Sequence, residues 1–230
     1  MKKLFLAVAV LATTGLTGCG SVNSFIADRH ESEEIYHIFD AKTAAGPDAV
    51  IKAATEGVTQ NTNRVQTTRP LNLHASKTLP TTPGRFDVID VADAFKGTGM
   101  GTLMALGQNN AGFQSLKQAK CEGALWTAKA VREVTGSNRL DLYICIYRYT
   151  QGYNVDMYAN FVKTEGGLMQ VSRAVADSLV GTPEQWVNKT IVDTMRSIEK
   201  ATGAKVVHLE GQPEIGGLPW VDKYDSAANK

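Results

Sequence analysis

The fold is decided by residues 124–163, which read ALWTAKAVREVTGSNRLDLYICIYRYTQGYNVDMYANFVK. Residues 124–134, 140–149 and 153–163 are rich in apolar, β-branched and aromatic side chains, and two short segments that contain glycine separate them. Runs of this kind are typical of β-strands, and glycine can adopt the positive φ that tight hairpin turns require. The stretch therefore predicts a three-stranded antiparallel meander.

The positions of the two turns predict which residues lie opposite one another. A first hairpin centred on Ser137 places Ala128 opposite Ile146. A second hairpin, centred on the Gln151-Gly152 turn, places Ile146 opposite Met157. Both registers put apolar residues on the same face of the sheet, an agreement that a one-residue slip in either would destroy. The other face carries Cys145, with Tyr158 across from it, and three more tyrosines, Tyr143, Tyr147 and Tyr149.

Two helices and a final strand are predicted after the meander. Apolar residues recur at helical spacing over 168–179 and again over 187–198. The second helix begins at a capping box, Thr182-Pro183-Glu184-Gln185, and Gly203 supplies its end. Residues 205–210 are predicted to form a strand, and residues 211–230 an extended or disordered tail.

A smaller β-α-β unit is predicted at residues 34–70, on the N-terminal side of the meander. Residues 35–40 alternate as a strand, Gly46-Pro47-Asp48 starts a helix, and residues 64–68 are extended. Residues 71–120 are rich in proline and glycine and are treated as an insertion. Together these segments predict an α+β fold: a mostly antiparallel sheet with two C-terminal helices on one face, preceded by the β-α-β unit.

The first twenty residues have the pattern of an export signal. Lys2 and Lys3 precede an apolar run at 4–12, which is too short to cross about 30 Å of hydrocarbon as a lasting helix. The segment ends in Leu16-Thr17-Gly18-Cys19. This constellation resembles the lipobox of bacterial lipoproteins, in which an aliphatic residue and two small ones precede the lipidated cysteine.

The resemblance implies a signal peptide at residues 1–18, lipidation (as with palmitate) of Cys19, and a tether over residues 19–33. Gly20-Ser21 lacks the aspartate that resembles an inner-membrane retention signal, so the resemblance favours the outer membrane, facing the periplasm. Once Lys2 and Lys3 are removed from the 24 basic residues, the mature chain is almost balanced against its 23 acidic ones. The acyl chains, rather than charge, would therefore hold the protein at the membrane.

Cys121 and Cys145 are the two remaining cysteines. In an oxidising compartment they are predicted to form a disulfide. In the predicted register, however, Cys121 lies eight positions from the residue that faces Cys145, which is roughly 27 Å along the strand. A disulfide spans only about 6 Å between Cα atoms. The bond therefore requires the chain before Ala124 to double back over the tyrosine face.

Composition and motifs argue against several classes of function. The balance of 24 basic and 23 acidic residues does not favour nucleic-acid binding, and three cysteines with four scattered histidines offer no metal framework. Gly97-Thr98-Gly99-Met100-Gly101 lacks the spacing of a nucleotide loop, so no cofactor is predicted. No G-x-S-x-G or other catalytic signature is present, and no catalytic residue is assigned. Enzymatic activity is left open but is the weaker interpretation.

The tyrosines are the remaining candidate for a site. Tyrosine combines a large contact area with a hydroxyl group, which suits protein interfaces. Tyr143, Tyr147, Tyr149 and Tyr158 therefore predict a partner-binding face; the alternative is that other segments cover it as a second core layer. The sequence favours a non-catalytic, membrane-anchored periplasmic lipoprotein that binds an envelope protein. A hydrolase or binder of peptidoglycan or other glycans, and a carrier of a small apolar ligand, are the alternatives.

Overall fold

The computed structural model describes residues 29–62, 64–70, 78–99, 102, 117–132, 140–165 and 182–213. Its strands are β1 (Arg29–Lys42), β2 (Val65–Thr68), β3 (Asp87–Asp90), β4 (Lys117–Lys120), β5 (Trp126–Arg132), β6 (Leu140–Tyr149), β7 (Gly152–Glu165) and β8 (Lys205–Gln212). Its helices are α1 (Pro47–Thr59), α2 (Val91–Ala94) and α3 (Pro183–Thr202). The predicted signal peptide, Cys19, the predicted helix at 168–179 and most of the predicted tail lie outside these residues.

One six-stranded antiparallel sheet organises the chain, in the order β2-β5-β6-β7-β1-β8. Strands β5, β6 and β7 are the predicted meander, and the predicted α+β class with a mostly antiparallel sheet is confirmed. The strands of the predicted β-α-β unit belong to the same sheet, with β1 beside β7 and β2 at the far edge beside β5. The unit and the meander therefore form one continuous layer.

The start of β1 and the end of β8 differ from the prediction because of strand pairing. Strand β1 begins at Arg29, inside the segment assigned to the tether, because β7 extends to Glu165 and pairs with it from end to end. Strand β8 continues to Gln212, inside the predicted tail, because Tyr36 of β1 lies opposite that residue. In both cases a neighbouring strand supplies partners for backbone groups that local sequence alone leaves unassigned.

The predicted register of the meander is wrong by two residues in both hairpins. Ala128 lies opposite Ile144, and Ile144 lies opposite Met157. Because side chains alternate with a period of two, a shift of two leaves every residue on its predicted face. The second turn explains its own shift, since Gly152 is already a strand residue paired with Tyr149 and the turn consists of the two residues before it.

Helices α1 and α3 pack on one face of the sheet and enclose the main core. Helix α3 begins at the predicted capping box, with Thr182 and Gln185 bonded reciprocally, and ends at Gly203, whose φ is +62°. Gly57 of α1 brings the two helices into backbone contact. A Cβ atom at this position would lie 2.5 Å from the Cα of Thr194 and 3.0 Å from the carbonyl oxygen of Asp193.

The opposite face of the sheet is covered by a segment that we call the cap, residues 78–99 and 117–123. It contains the two-stranded sheet of β3 and β4, which is separate from the main sheet. The Thr150 backbone N–H donates to the Pro80 carbonyl over 3.0 Å, and the ion pairs Lys117–Glu34 and Arg85–Glu210 join the cap to β1 and β8. Part of the predicted insertion is thus a packed layer.

We expect Gly57→Ala to lower the free energy of unfolding by about 1–2 kcal/mol, measured by urea denaturation. Alanine is the better helix former by up to about 1 kcal/mol. Overpacking against the backbone of α3 costs about 1–3 kcal/mol and outweighs that gain. Gly99→Ala is the matched control, because its Cβ would meet nothing within 4 Å, and it should change stability by less than about 0.5 kcal/mol. Equal effects of the two substitutions would contradict the close approach of the helices.

Candidate functional site

The tyrosine face is buried beneath the cap. Tyr143, Tyr147, Tyr149 and Tyr158 are 9%, 2%, 6% and 1% exposed. Phe86 of the cap packs against the Tyr158 ring at 5.7 Å, and a Cβ on Gly84 would lie 2.7 Å from the Tyr147 ring. The prediction of an exposed partner-binding face at these four tyrosines is therefore corrected: the face is a second core layer, because the insertion crosses it.

The hydroxyl groups of these tyrosines differ in how they are satisfied. The Tyr149 hydroxyl donates to the Asp40 carboxylate over 2.6 Å, and the Tyr158 hydroxyl donates to Glu34 over 3.1 Å. The Tyr147 hydroxyl is buried and has no hydrogen-bond partner among the described residues. Burial, together with the nearby carboxylates, raises the pKa of all three groups, so they stay neutral at physiological pH.

The disulfide between Cys121 and Cys145 is present, with 5.6 Å between the two Cα atoms. The chain before β5 doubles back as the bond requires. Gly123 has a φ of +75°, the Ala124 N–H donates to the Cys121 carbonyl, and the Leu125 N–H then joins Ile146 of β6 over 2.7 Å. Cys145 is buried, at 1% exposed, whereas Cys121 is only half-buried. The bond therefore links β6 to the end of the cap. It joins a buried cysteine, Cys145, to a half-buried one, Cys121.

A buried carboxyl group lies beside the disulfide. Five residues on adjacent strands stand in one row across the covered face, namely Thr127, Cys145, Asp156, Ile38 and Glu210. The Asp156 carboxylate accepts the Phe86 backbone N–H over 2.9 Å and the Asn154 amide over 2.7 Å. The same Asn154 amide donates to the Gly84 carbonyl over 3.2 Å. Asp156 and Asn154 thus attach the cap to β7 through hydrogen bonds to its backbone.

The surroundings of Asp156 favour its neutral form. Burial raises the pKa of Asp156 to about 7, against the lowering effect of the Phe86 N–H and of Arg85, while Glu210 raises it further. Its side chain is 0% exposed. Desolvation disfavours a charged carboxylate, and two hydrogen bonds offset only part of that penalty. Asp156 therefore gains or loses its proton near neutral pH, beside the disulfide.

A second buried polar cluster lies on the helix face of the sheet. His37 of β1 is 0% exposed, and its Nδ1 lies 3.2 Å from Nε2 of His208 on β8. Burial, and then His208, lower the pKa of His37 to about 3, against the opposing effect of the Asn188 side chain on α3. The imidazole is therefore neutral. Sequence analysis missed this pair; the only available signal was a histidine at an apolar position of the alternating pattern in β1.

An acidic cleft lies where β1, β8 and the first turn of α3 meet. It has a volume of about 560 Å³ and is lined by Glu33, Glu34, Ile35, Glu184, Gln212 and Pro213. Glu34 also forms an ion pair with Lys117 and accepts a hydrogen bond from the Tyr158 hydroxyl. Within the described part of the chain, no group of three or more His, Cys, Asp and Glu side chains is placed to hold a metal ion.

Comparison with known proteins assigns no family to this chain. No family model matches it, and no curated protein is similar to it. Among the residues that the structure describes, no helix has the length and apolar character needed to cross a membrane. The functional interpretation therefore depends on the residues themselves and on their geometry.

We expect Asp156→Asn to change how stability depends on pH. Between pH 4 and 7 the folded protein keeps a proton on Asp156 that the unfolded chain releases, so the wild-type free energy of unfolding contains a contribution that falls as pH rises. At about 1.4 kcal/mol per pKa unit, the stability difference between wild type and variant should decrease by up to about 4 kcal/mol over this range. Urea denaturation at each pH gives this difference, in which the titration of His37 cancels.

Asp141→Asn is the matched control, because Asp141 lies on β6 opposite Asn160, away from the disulfide row. It controls for the loss of a carboxylate from the same face of the sheet. A stability difference between wild type and Asp156→Asn that stays constant from pH 4 to 7 would show that Asp156 is ionised throughout.

Proposed function

We propose that this protein is a non-catalytic lipoprotein of the bacterial cell envelope that binds a protein partner through the outer surface of its cap. The lipobox pattern Leu16-Thr17-Gly18-Cys19 supports the anchor. The distribution of exposed apolar side chains supports the binding surface and is the observation that carries the proposal.

Apolar side chains on the outside of the protein concentrate on the cap. Among the described residues, five large hydrophobic side chains are exposed, and four of them belong to residues 79–95: Leu79, Val88, Ile89 and Phe95. Charged residues stand beside them, since Asp87 lies opposite Lys120 and Asp90 opposite Lys117 in the small sheet. Exposed apolar side chains beside charged ones are a feature of protein-binding surfaces.

The length of the tether limits where the partner can be. Arg29, where β1 begins, is ten positions after Cys19. A fully extended chain spans at most about 3.6 Å per residue, so β1 would start within about 36 Å of the anchored residue. The cap would then meet proteins embedded in the same membrane or lying close to its surface.

A second candidate function is the binding or hydrolysis of an envelope glycan. The acidic cleft favours it, because glycan-processing sites use clustered carboxyl groups in a concave surface and Glu33, Glu34 and Glu184 line this cleft. Its volume of about 560 Å³ lies within the range of small-molecule sites. The cleft and the cap surface can be tested separately, because Glu184 and the four cap side chains are on different segments of the chain.

The anchor predicts a lipid-modified N-terminus. Intact mass of protein from envelope membranes should give a chain that begins at Cys19 and carries acyl mass. Cys19→Ser should lose this mass and leave the washed membrane fraction, because acyl chains supply the attachment. Gly20→Asp should retain the acyl mass but move to the inner membrane on a density gradient. A wild-type chain without acyl mass would contradict the anchor.

The binding surface predicts a cross-link that depends on the cap. A photo-cross-linking side chain at position 89 should join the protein to one discrete envelope protein in cells, and excess purified protein should compete it away. Phe95→Glu in the same chain should abolish the product with little loss of stability, because Phe95 is 37% exposed.

Glu184→Gln serves as the control for the cap surface and should leave the cross-link unchanged. A product that survives Phe95→Glu would contradict the cap surface. Loss of binding to soluble peptidoglycan fragments in Glu184→Gln alone would favour the glycan-binding candidate.

A further inference from the structure

The disulfide joins two sulfur atoms in different surroundings. Cys121 stands on the turn after β4 and is half-buried, whereas Cys145 lies in the middle of β6 at 1% exposed. A thiolate must approach the sulfur that it attacks along the S–S axis, and access decides which sulfur is attacked. An external thiol therefore reaches Cys121, and Cys145 is the sulfur that leaves.

The departing sulfur of Cys145 would carry a negative charge in a buried site. Such a charge is costly to leave without compensation. Asp156 is the residue directly opposite Cys145 on β7, and directly opposed residues of an antiparallel pair have Cβ atoms about 4.5–5.5 Å apart. A carboxyl group that carries its proton at this position can neutralise the sulfur as it leaves.

The groups around Asp156 leave it as the acid suited to this transfer. The neighbouring strands contribute Cys145 and Tyr147 from β6, Ile38 from β1 and Glu210 from β8. Strand β7 itself contributes Asn154. The cap contributes Arg85, the Phe86 N–H and, near Tyr147, Asp87. The Tyr147 hydroxyl has a raised pKa and holds its proton too tightly. Burial raises the pKa of Asp156 to about 7, which is suited to proton transfer at neutral pH.

We propose that Cys121–Cys145 is a thiol–disulfide exchange site, in which an external dithiol attacks Cys121 and Asp156 donates a proton to the departing sulfur of Cys145. A thiolate of the dithiol forms a bond to Sγ of Cys121, and the bond between the two protein sulfurs breaks with its electron pair on Sγ of Cys145. The Asp156 proton moves to that sulfur, leaving a thiol and a carboxylate.

The second half of the reaction completes the balance. The other sulfur of the dithiol, after losing its proton to solvent, attacks the dithiol sulfur that is bound to Cys121. Cys121 leaves as a thiolate and takes a proton from water. The protein disulfide is reduced by two electrons to two thiols, and the dithiol is oxidised to its own disulfide.

Reduction would loosen the cap at the place where it is held. The cross-link is lost, and the newly formed Asp156 carboxylate is left buried with only the Phe86 N–H and the Asn154 amide as donors. Neither the reaction nor its test depends on partner binding, so this inference stands apart from the proposed function.

The test measures the rate at which dithiothreitol reduces the disulfide of the full-length protein between pH 6 and 8. At each pH this rate is divided by the rate at which dithiothreitol reduces oxidised glutathione, which gives a relative rate. The division removes the ionisation of the reductant. Because the protonated fraction of Asp156 falls about tenfold over this range, the relative rate should fall about tenfold. Asp156→Asn should abolish this fall and react more slowly than wild type at pH 6, whereas Asp141→Asn should behave as wild type.

A second measurement identifies the attacked sulfur and needs no variant. Reduced glutathione, a monothiol, should be trapped as a mixed disulfide on Cys121, as read from peptide masses. Glutathione on Cys145, a relative rate that does not change with pH, or an Asp156→Asn protein that is reduced as fast as wild type would each overturn the proposal. If Asp156→Asn does not fold, the wild-type pH profile and the position of glutathione still decide.

Discussion

The structure depends on one constraint: strand β6 is apolar or aromatic on both of its faces. Leu142, Ile144 and Ile146 point to one side, while Tyr143, Cys145 and Tyr147 point to the other, and all six are buried. A sheet with such a central strand cannot leave either face to water without exposing large apolar area. Helices α1 and α3 satisfy one face, and the cap is what the other face requires.

When the cap covers the tyrosine face of the sheet, it buries polar side chains that need hydrogen-bond partners. A tyrosine or carboxylate that is harmless at a surface must find a partner once it is buried. Asp40 and Glu34 accept hydrogen bonds from the hydroxyls of Tyr149 and Tyr158, and the cap backbone donates one to Asp156. The cap is thus held by the same polar groups that its presence buries, and the disulfide adds a covalent link at the same row of residues.

The sequence could predict what depends on local pattern. The three meander strands, the capping box at Thr182 and the return of the chain before Ala124 all follow from periodicity, turn residues or simple distance. The predicted register was wrong by two residues because side chains alternate with a period of two, so a shift of two residues leaves the pattern unchanged. The turn residues were compatible with the predicted and the observed register.

The remaining features join residues that are far apart in the chain. Phe86 meets Asp156 across 70 positions, and His37 meets His208 across 171. Local periodicity in the cap is weak, and hydrogen bonds and a disulfide to distant residues hold the cap in place. No spacing rule links such residues before the topology is known. The sequence therefore left open whether the tyrosine face is covered, and it did not predict that the two histidines meet.

The two faces of the sheet bury titratable groups whose effects on stability oppose each other. The folded protein keeps His37 neutral, so the unfolded chain binds a proton more readily between pH 3 and 6.5, and this contribution to stability falls as pH falls. The folded protein keeps Asp156 protonated, so its contribution grows as pH falls from 7 towards 4. Between pH 4 and 6.5 the two changes offset each other. The summed contribution of His37 and Asp156 to stability therefore changes less over this range than either contribution alone.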